Sequence, residues 1–170
     1  EGGGVLADWL VQCALESGLP VQATSVPGVA QRTGATSYYI EMLREPLAPL
    51  GASGYLPAEG APVFALTPLP GCVDVVVASE LLEAARMVER GFVTGRTTLI
   101  ASTHRVYTTI EKMHMADGRQ DPQRLQAAAQ ALAARAVLFD MESVTVQSGT
   151  VVSAVMFGAL AGAGVLPWPR

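Results

Sequence analysis

The chain has 170 residues, a length that fits one domain with a hydrophobic core of its own. Half of the residues are apolar and 15% are charged, which excludes an intrinsically disordered chain. The 11 basic residues are outnumbered by 15 acidic ones and form no cluster, so nucleic acid is not expected as a partner. Two cysteines cannot build a disulfide framework, and we interpret Cys13 and Cys72 as small buried hydrophobes that suit a reducing cytoplasm.

The N-terminal part predicts an amphipathic helix that opens at a glycine loop and ends near Gly18. Free backbone N–H groups at the positive end of a helix predict an anion-binding loop at Gly2, Gly3 and Gly4. The alternative interpretation is that these three glycines bind no anion and only allow the backbone to pack closely against its neighbours. Because such a loop normally joins a strand to a helix, we expect a first strand before Glu1, which this chain lacks.

A polar turn separates two predicted strands, residues 21–25 and 36–41. The residues that we single out in this turn are Gly28, Gln31, Arg32 and Gly34. Proline and glycine preset a tight reversal, and an arginine among glycines and small hydroxyl residues can meet an anion without steric interference. The alternative is a surface turn in which Arg32 is only solvated.

The remainder predicts an irregular, breaker-rich loop over residues 43–61, either mobile or a lid, followed by alternating strands and helices. The predicted strands cover residues 62–66, 73–78, 97–101 and 136–139. Helices are predicted to begin after the N-caps Ser79 and Asp121. This alternation predicts a single α/β domain, Rossmann-like, with a mostly parallel sheet and helices on both faces.

Polar residues follow the strand over residues 97–101, at the edge where open α/β sheets bind ligands. They are Ser102, Thr103 and His104. Because His104 has no visible base or metal partner, we expect binding or a structural role for it in preference to catalysis. Asp140 and Glu142 are interpreted as helix caps in preference to an acid–base pair.

No charge occurs between Ser143 and Pro169, and the apolar run there carries Gly158 and Gly162 at small-xxx-small spacing. Interrupting polar residues and missing basic anchors favour a helix between the sheet and a partner over a membrane span. The sequence also has no Walker A loop, no nucleophile elbow and no cysteine or histidine spacing of a metal or iron–sulfur site. We therefore expect no catalytic residue and no metal in this chain.

Several segments resemble the gamma-type domain of the 2-oxoacid:ferredoxin oxidoreductases, and within that family the beta subunits of indolepyruvate ferredoxin oxidoreductases. These segments are TSVPGVAQRTGATSYYIEM, GGGVLADWL, VDVVVASELLEAARMVERG, TTLIASTHRVYTTIEKM and SGTVVSAVMFGALAGAGVLPWPR. The likeness covers nearly the whole chain, and the GVAQR-x-G core is fairly specific to the family. The chain departs from the family at its truncated start and in an insertion between Leu43 and Ala61.

The resemblance implies oxidative decarboxylation of an aryl-2-oxoacid such as indolepyruvate, with coenzyme A and ferredoxin, to an acyl-coenzyme A. It implies that thiamine diphosphate and iron–sulfur clusters lie on a partner subunit or domain, and that this chain binds no cofactor itself. It places the following residues near the substrate and coenzyme A cleft: Gly28, Gln31, Arg32 and Gly34, then Ser102, Thr103 and His104. The resemblance leaves open whether this chain also forms a homodimer.

Two other classes of function stay open. A free-standing nucleotide-binding regulator predicts dinucleotide or adenine nucleotide binding without a partner; the missing acid after residues 21–25 counts against it. A structural scaffold subunit would bury its apolar C-terminal helix in a partner.

Overall fold

A computed structural model describes residues 2–27, 36–45, 62–104 and 122–168. Its elements are α1 (Gly3–Glu16), β1 (Val21–Pro27), β2 (Thr36–Met42), β3 (Val75–Ala78), α2 (Leu81–Glu89), β4 (Thr98–Ser102), α3 (Pro122–Leu132), β5 (Arg135–Phe139), α4 (Met141–Ser148) and α5 (Val152–Ala163). Most of the predicted irregular loop and Asp121 lie outside the described residues.

Three parallel strands form the centre of the domain, with β4 between β3 and β5. Val75 of β3 pairs with Thr98 of β4, which pairs with Arg135 of β5. The three central residues of strand β4 are apolar and completely buried, as expected of a parallel strand covered on both faces. The structure is a small single α/β domain, which confirms the predicted Rossmann-like class.

Helices cover both faces of this sheet because successive residues of a strand point to opposite sides. On one face, Ile100 packs with residues of α1, α4 and α5: Leu6, Leu10, Met141, Met156 and Leu160. On the other face, Leu99 and Ala101 pack with Ala84 of α2 and Ala129 of α3. The two clusters make one core in three layers.

Strands β1 and β2 form a separate antiparallel hairpin, in register from Val21↔Met42 to Pro27↔Thr36. One face of this hairpin lies on α1, where Ile40 joins the cluster of Leu6 and Leu10. The predicted reversal after residue 25 is therefore confirmed at the level of the two strands.

The prediction of a strand over residues 62–66 is wrong. The structure has no strand there, although the segment runs along the hairpin. Pro62 has no N–H to give to a ladder, and polar side chains of the hairpin bind the backbone of Ala65 and Leu66 instead.

Three smaller predictions also need correction. Glu80, and not Ser79, is the N-cap residue of α2, and the side chain of Glu80 makes no capping hydrogen bond. Cys72 is exposed and Cys13 is half-buried. The apolar C-terminal run forms two helices that meet at 111°, because Gly149 takes the left-handed conformation between them.

Helix α5 turns Ser153, Met156 and Leu160 into the core. Its C-terminal end is held by Arg135, whose Nη1 donates to the carbonyl of Ala163 at 2.7 Å. Among the described residues no single helix is both long and apolar enough to span a membrane; only the bent pair of α4 and α5 meets that criterion.

Candidate functional site

The carboxyl ends of β3, β4 and β5 meet at one edge of the sheet. Hydrogen bonds connect the residues that follow these three strands to one another. Leu81 N, at the start of α2, donates to the carbonyl of His104 at 3.0 Å. Thr103 N donates to the carbonyl of Phe139 at 2.9 Å. The structure therefore brings Thr103 and His104, both half-buried, to the predicted edge beside the first residues of two helices.

Ser102 organises this edge from within. Its side chain is completely buried, and its Oγ accepts hydrogen bonds from His104 N and from Met141 N, each at 3.1 Å. One hydroxyl thus fixes the exit of β4 and the start of α4 together. Ser102 is brought to the predicted site as a residue that orients the backbone of His104, and its oxygen accepts hydrogen bonds from within the protein.

Asp140 is the N-cap of α4, as predicted for this residue. Its Oδ1 accepts from Ser143 N at 3.1 Å and its Oδ2 from Ser143 Oγ at 2.7 Å. The side-chain hydrogen bond of Ser143 lowers the pKa of Asp140 most, followed by the backbone hydrogen bond, and the nearby charge of His104 lowers it further. The ionised carboxylate is therefore the form that stabilises this edge.

The stability of the protein is expected to fall in acid partly through Asp140. Because the pKa of Asp140 is lowered on folding, its contribution is complete above the ordinary aspartate value of about 4 and is lost as the pH falls through the folded-state value. Asp140→Asn should therefore be less stable than wild type at neutral pH, and the two unfolding free energies should converge in acid. Urea denaturation across this pH range measures both curves. Glu142→Gln, in the same helical turn, is the control, and parallel curves for Asp140→Asn would contradict the expectation.

The glycine loop at the start of α1 is closely packed. Gly2 has φ +77°, and a Cβ there would lie 2.7 Å from both Ser153 Oγ and a methyl group of Val152. A Cβ on Gly3 or Gly4 would lie 3.0–3.1 Å from the Tyr38 side chain. Close approach of β2 and α5 thus explains all three glycines.

No acidic side chain lies in the first turn of α1 and no side chain caps it. An anion at this loop stays a prediction.

The other four predicted cleft residues lie outside the described residues: Gly28, Gln31, Arg32 and Gly34. What the structure describes is the pair of strands that enter and leave this segment, β1 and β2. Within the described ranges, no group of three or more histidine, cysteine, aspartate or glutamate residues could hold a metal ion.

A groove of about 550 Å³ runs along β5 beside α4 and α5. Its lining is mainly apolar and includes Val137, Phe139, Val155 and Ala159, with Arg135 at one end. Of the predicted cleft residues that the structure describes, Ser102, Thr103 and His104, none lines this groove. The signal for it in the sequence is the uncharged run after Ser143, which we related to a partner surface and not to a groove.

Comparison with protein families matches residues 1–168 to pyruvate ferredoxin/flavodoxin oxidoreductase. No curated protein and no solved structure matches the chain. The family match covers almost every residue of the three-layer domain and the hairpin. This chain belongs to the pyruvate ferredoxin/flavodoxin oxidoreductase family, the 2-oxoacid:ferredoxin oxidoreductases.

Proposed function

We propose that the chain is the subunit or domain of an indolepyruvate or arylpyruvate:ferredoxin oxidoreductase that does not bind thiamine diphosphate. The observation that carries the proposal is the family match over residues 1–168. The narrower substrate rests on the resemblance of residues 24–42 taken together with the other segments quoted above. In this proposal the enzyme works in the cytoplasm, and its partner subunit holds thiamine diphosphate and the iron–sulfur clusters.

The proposed overall reaction joins the acyl group of the 2-oxoacid to coenzyme A, releases carbon dioxide and passes two electrons to ferredoxin. Thiamine diphosphate supplies the carbanion chemistry when it is bound. In this proposal the residues of this chain bind and orient the 2-oxoacid and coenzyme A. Arg32 would pair with a carboxylate or phosphate through its planar guanidinium, Gln31 would hydrogen-bond beside it, and Gly28 and Gly34 would let the backbone come close.

The geometry of the sheet edge supports a binding role for Thr103 and His104. Both follow β4, and α2 and α4 begin beside them, so the positive ends of two helix dipoles lie near this edge. The Asp140 carboxylate already lies at the N-terminus of α4, so in this proposal the N-terminus of α2 favours an anionic group of indolepyruvate or coenzyme A. The buried Ser102 holds the backbone of His104 in place, and the carbonyl of Phe139 holds that of Thr103.

Co-expression tests the proposal. This chain and the thiamine-type subunit are produced together and each alone, and indolepyruvate- and coenzyme A-dependent reduction of a viologen dye is measured. We expect turnover only when both are present, and no thiamine diphosphate bound to this chain alone. Full turnover without this chain would remove the cleft assignments, and turnover by this chain alone would overturn the proposal.

A structural scaffold is the second candidate, and the apolar groove along β5 favours it. In a scaffold, the variant Arg32→Ala would leave the kinetics of the assembled enzyme unchanged. The same assay therefore separates the two functions.

A further inference from the structure

Residues 62–66, which we call the strap, are bound to the polar face of the β1–β2 hairpin at Ala65 and Leu66. The hairpin binds the backbone of the strap through its side chains. Gln22 Nε2 donates to the Ala65 carbonyl at 2.8 Å, and Thr24 Oγ1 donates to the Leu66 carbonyl at 2.8 Å. The carboxylate of Glu41 accepts from Ala65 N at 2.7 Å. All three hydrogen bonds are exposed to solvent.

These side chains come from two cross-strand pairs of the hairpin. Gln22 lies opposite Glu41, and Thr24 lies opposite Tyr39. Tyr39 also hydrogen-bonds Glu41, and its pKa is raised first by burial and then by that carboxylate. The face of the hairpin turned away from α1 is thus a row of polar groups, three of which bind the backbone of Ala65 and Leu66.

Hydrophobic burial contributes little to the hold on the strap. Val63 and Leu66 are 95% and 72% exposed, and only Pro62 and Phe64 are half-buried. The chain is anchored again just beyond, where Gly71 takes φ +79° and its N–H donates to the carbonyl of Gly91 at 2.9 Å. The segment has few buried apolar contacts and exposed hydrogen bonds, the features of a unit that opens before the core does.

The geometry points to a conformational device: the strap opens and closes on the hairpin as a unit while α1, the hairpin and the sheet stay folded, and Glu41 is the residue that holds it closed. Opening uncovers the polar row of Gln22, Thr24, Tyr39 and Glu41. This device is independent of which 2-oxoacid the enzyme uses.

Hydrogen exchange of backbone amides, followed by NMR on the full chain, tests the device. In wild type the Ala65 amide should exchange faster than the core amide of Ile100. Glu41→Ala removes a charged acceptor, so it should speed exchange at Ala65 by about ten-fold or more and leave Ile100 unchanged. Thr24→Val, which removes the donor to Leu66, should speed exchange at Ala65 several-fold.

Two matched variants complete the experiment. Glu41→Gln keeps an acceptor oxygen and should restore Ala65 exchange to within about three-fold of wild type. Glu45→Ala removes a nearby exposed carboxylate and should change neither amide. Unchanged Ala65 exchange in Glu41→Ala would overturn the inference, as would equal acceleration at Ile100 or failure of Glu41→Ala to fold. The last two results would show that the strap belongs to the cooperative core.

Discussion

Arg32→Ala is expected to weaken catalysis by the assembled enzyme more than any other single change proposed for the cleft. Losing a charge paired with a carboxylate or phosphate costs about 1–3 kcal/mol, roughly 5- to 150-fold in kcat/KM. An effect on KM for indolepyruvate would assign Arg32 to the oxoacid carboxylate, and an effect on KM for coenzyme A would assign it to a phosphate. Steady-state kinetics of viologen reduction, with each substrate varied in turn, makes this measurement.

Two variants make the Arg32 result specific. Arg32→Lys keeps the charge and loses the planar fork, so it should recover only part of the activity if binding is bidentate. Arg44→Ala removes an exposed arginine two residues beyond β2 and should leave kcat/KM at the wild-type value. If Arg32→Ala behaves like Arg44→Ala, the scaffold function is favoured.

Ser102→Ala is expected to destabilise the fold by about 2–3 kcal/mol. The substitution leaves the N–H groups of His104 and Met141 without the oxygen that both use, and Met141 is completely buried. Urea denaturation should show a lower midpoint with an unchanged slope, since the surface exposed on unfolding stays the same. Loss of this oxygen should also loosen Thr103 and His104, which can be followed by their amide exchange.

Ser153→Ala is the matched control for Ser102→Ala. Ser153 is also buried, but within the described part of the chain its hydroxyl makes one hydrogen bond, to the carbonyl of Gly2 at 3.0 Å. We expect a cost of about 1 kcal/mol for this single bond. A loss in Ser102→Ala no larger than in Ser153→Ala would contradict the role given to Ser102.

The elements of the sheet could be predicted because they depend on local patterns. The apolar runs that contain β3 and β4 are typical of buried strands of a parallel sheet, a short apolar run predicts β5, and the helices between them follow from apolar spacing. The N-cap role of Asp140 was equally local, since its partner Ser143 is three residues away. Polar residues after β4 also indicated the sheet edge, because parallel strands end on the same side.

The strap shows why another prediction was wrong. The pattern of residues 62–66 is that of a strand, yet the choice between a backbone ladder and binding by side chains depends on Gln22, Thr24 and Glu41, which lie 24 to 43 residues away. The position of Gly149 likewise signalled a break only weakly. Its left-handed conformation divides the apolar run into α4 and α5, so that α5 can lie on the sheet.

The sequence by itself determined the α/β class, the order of most elements, the polar edge after β4 and, through its motifs, the family. These properties reside in periodicity and in short motifs, which need no knowledge of distant contacts. Only the tertiary structure decided that the oxygen of Ser102 serves Met141, 39 residues further on, and that Gly3 and Gly4 make room for Tyr38. Such roles are set by which surfaces meet when the chain packs, because a hydroxyl or a glycine has the same local signal whether it faces a ligand or another part of the protein.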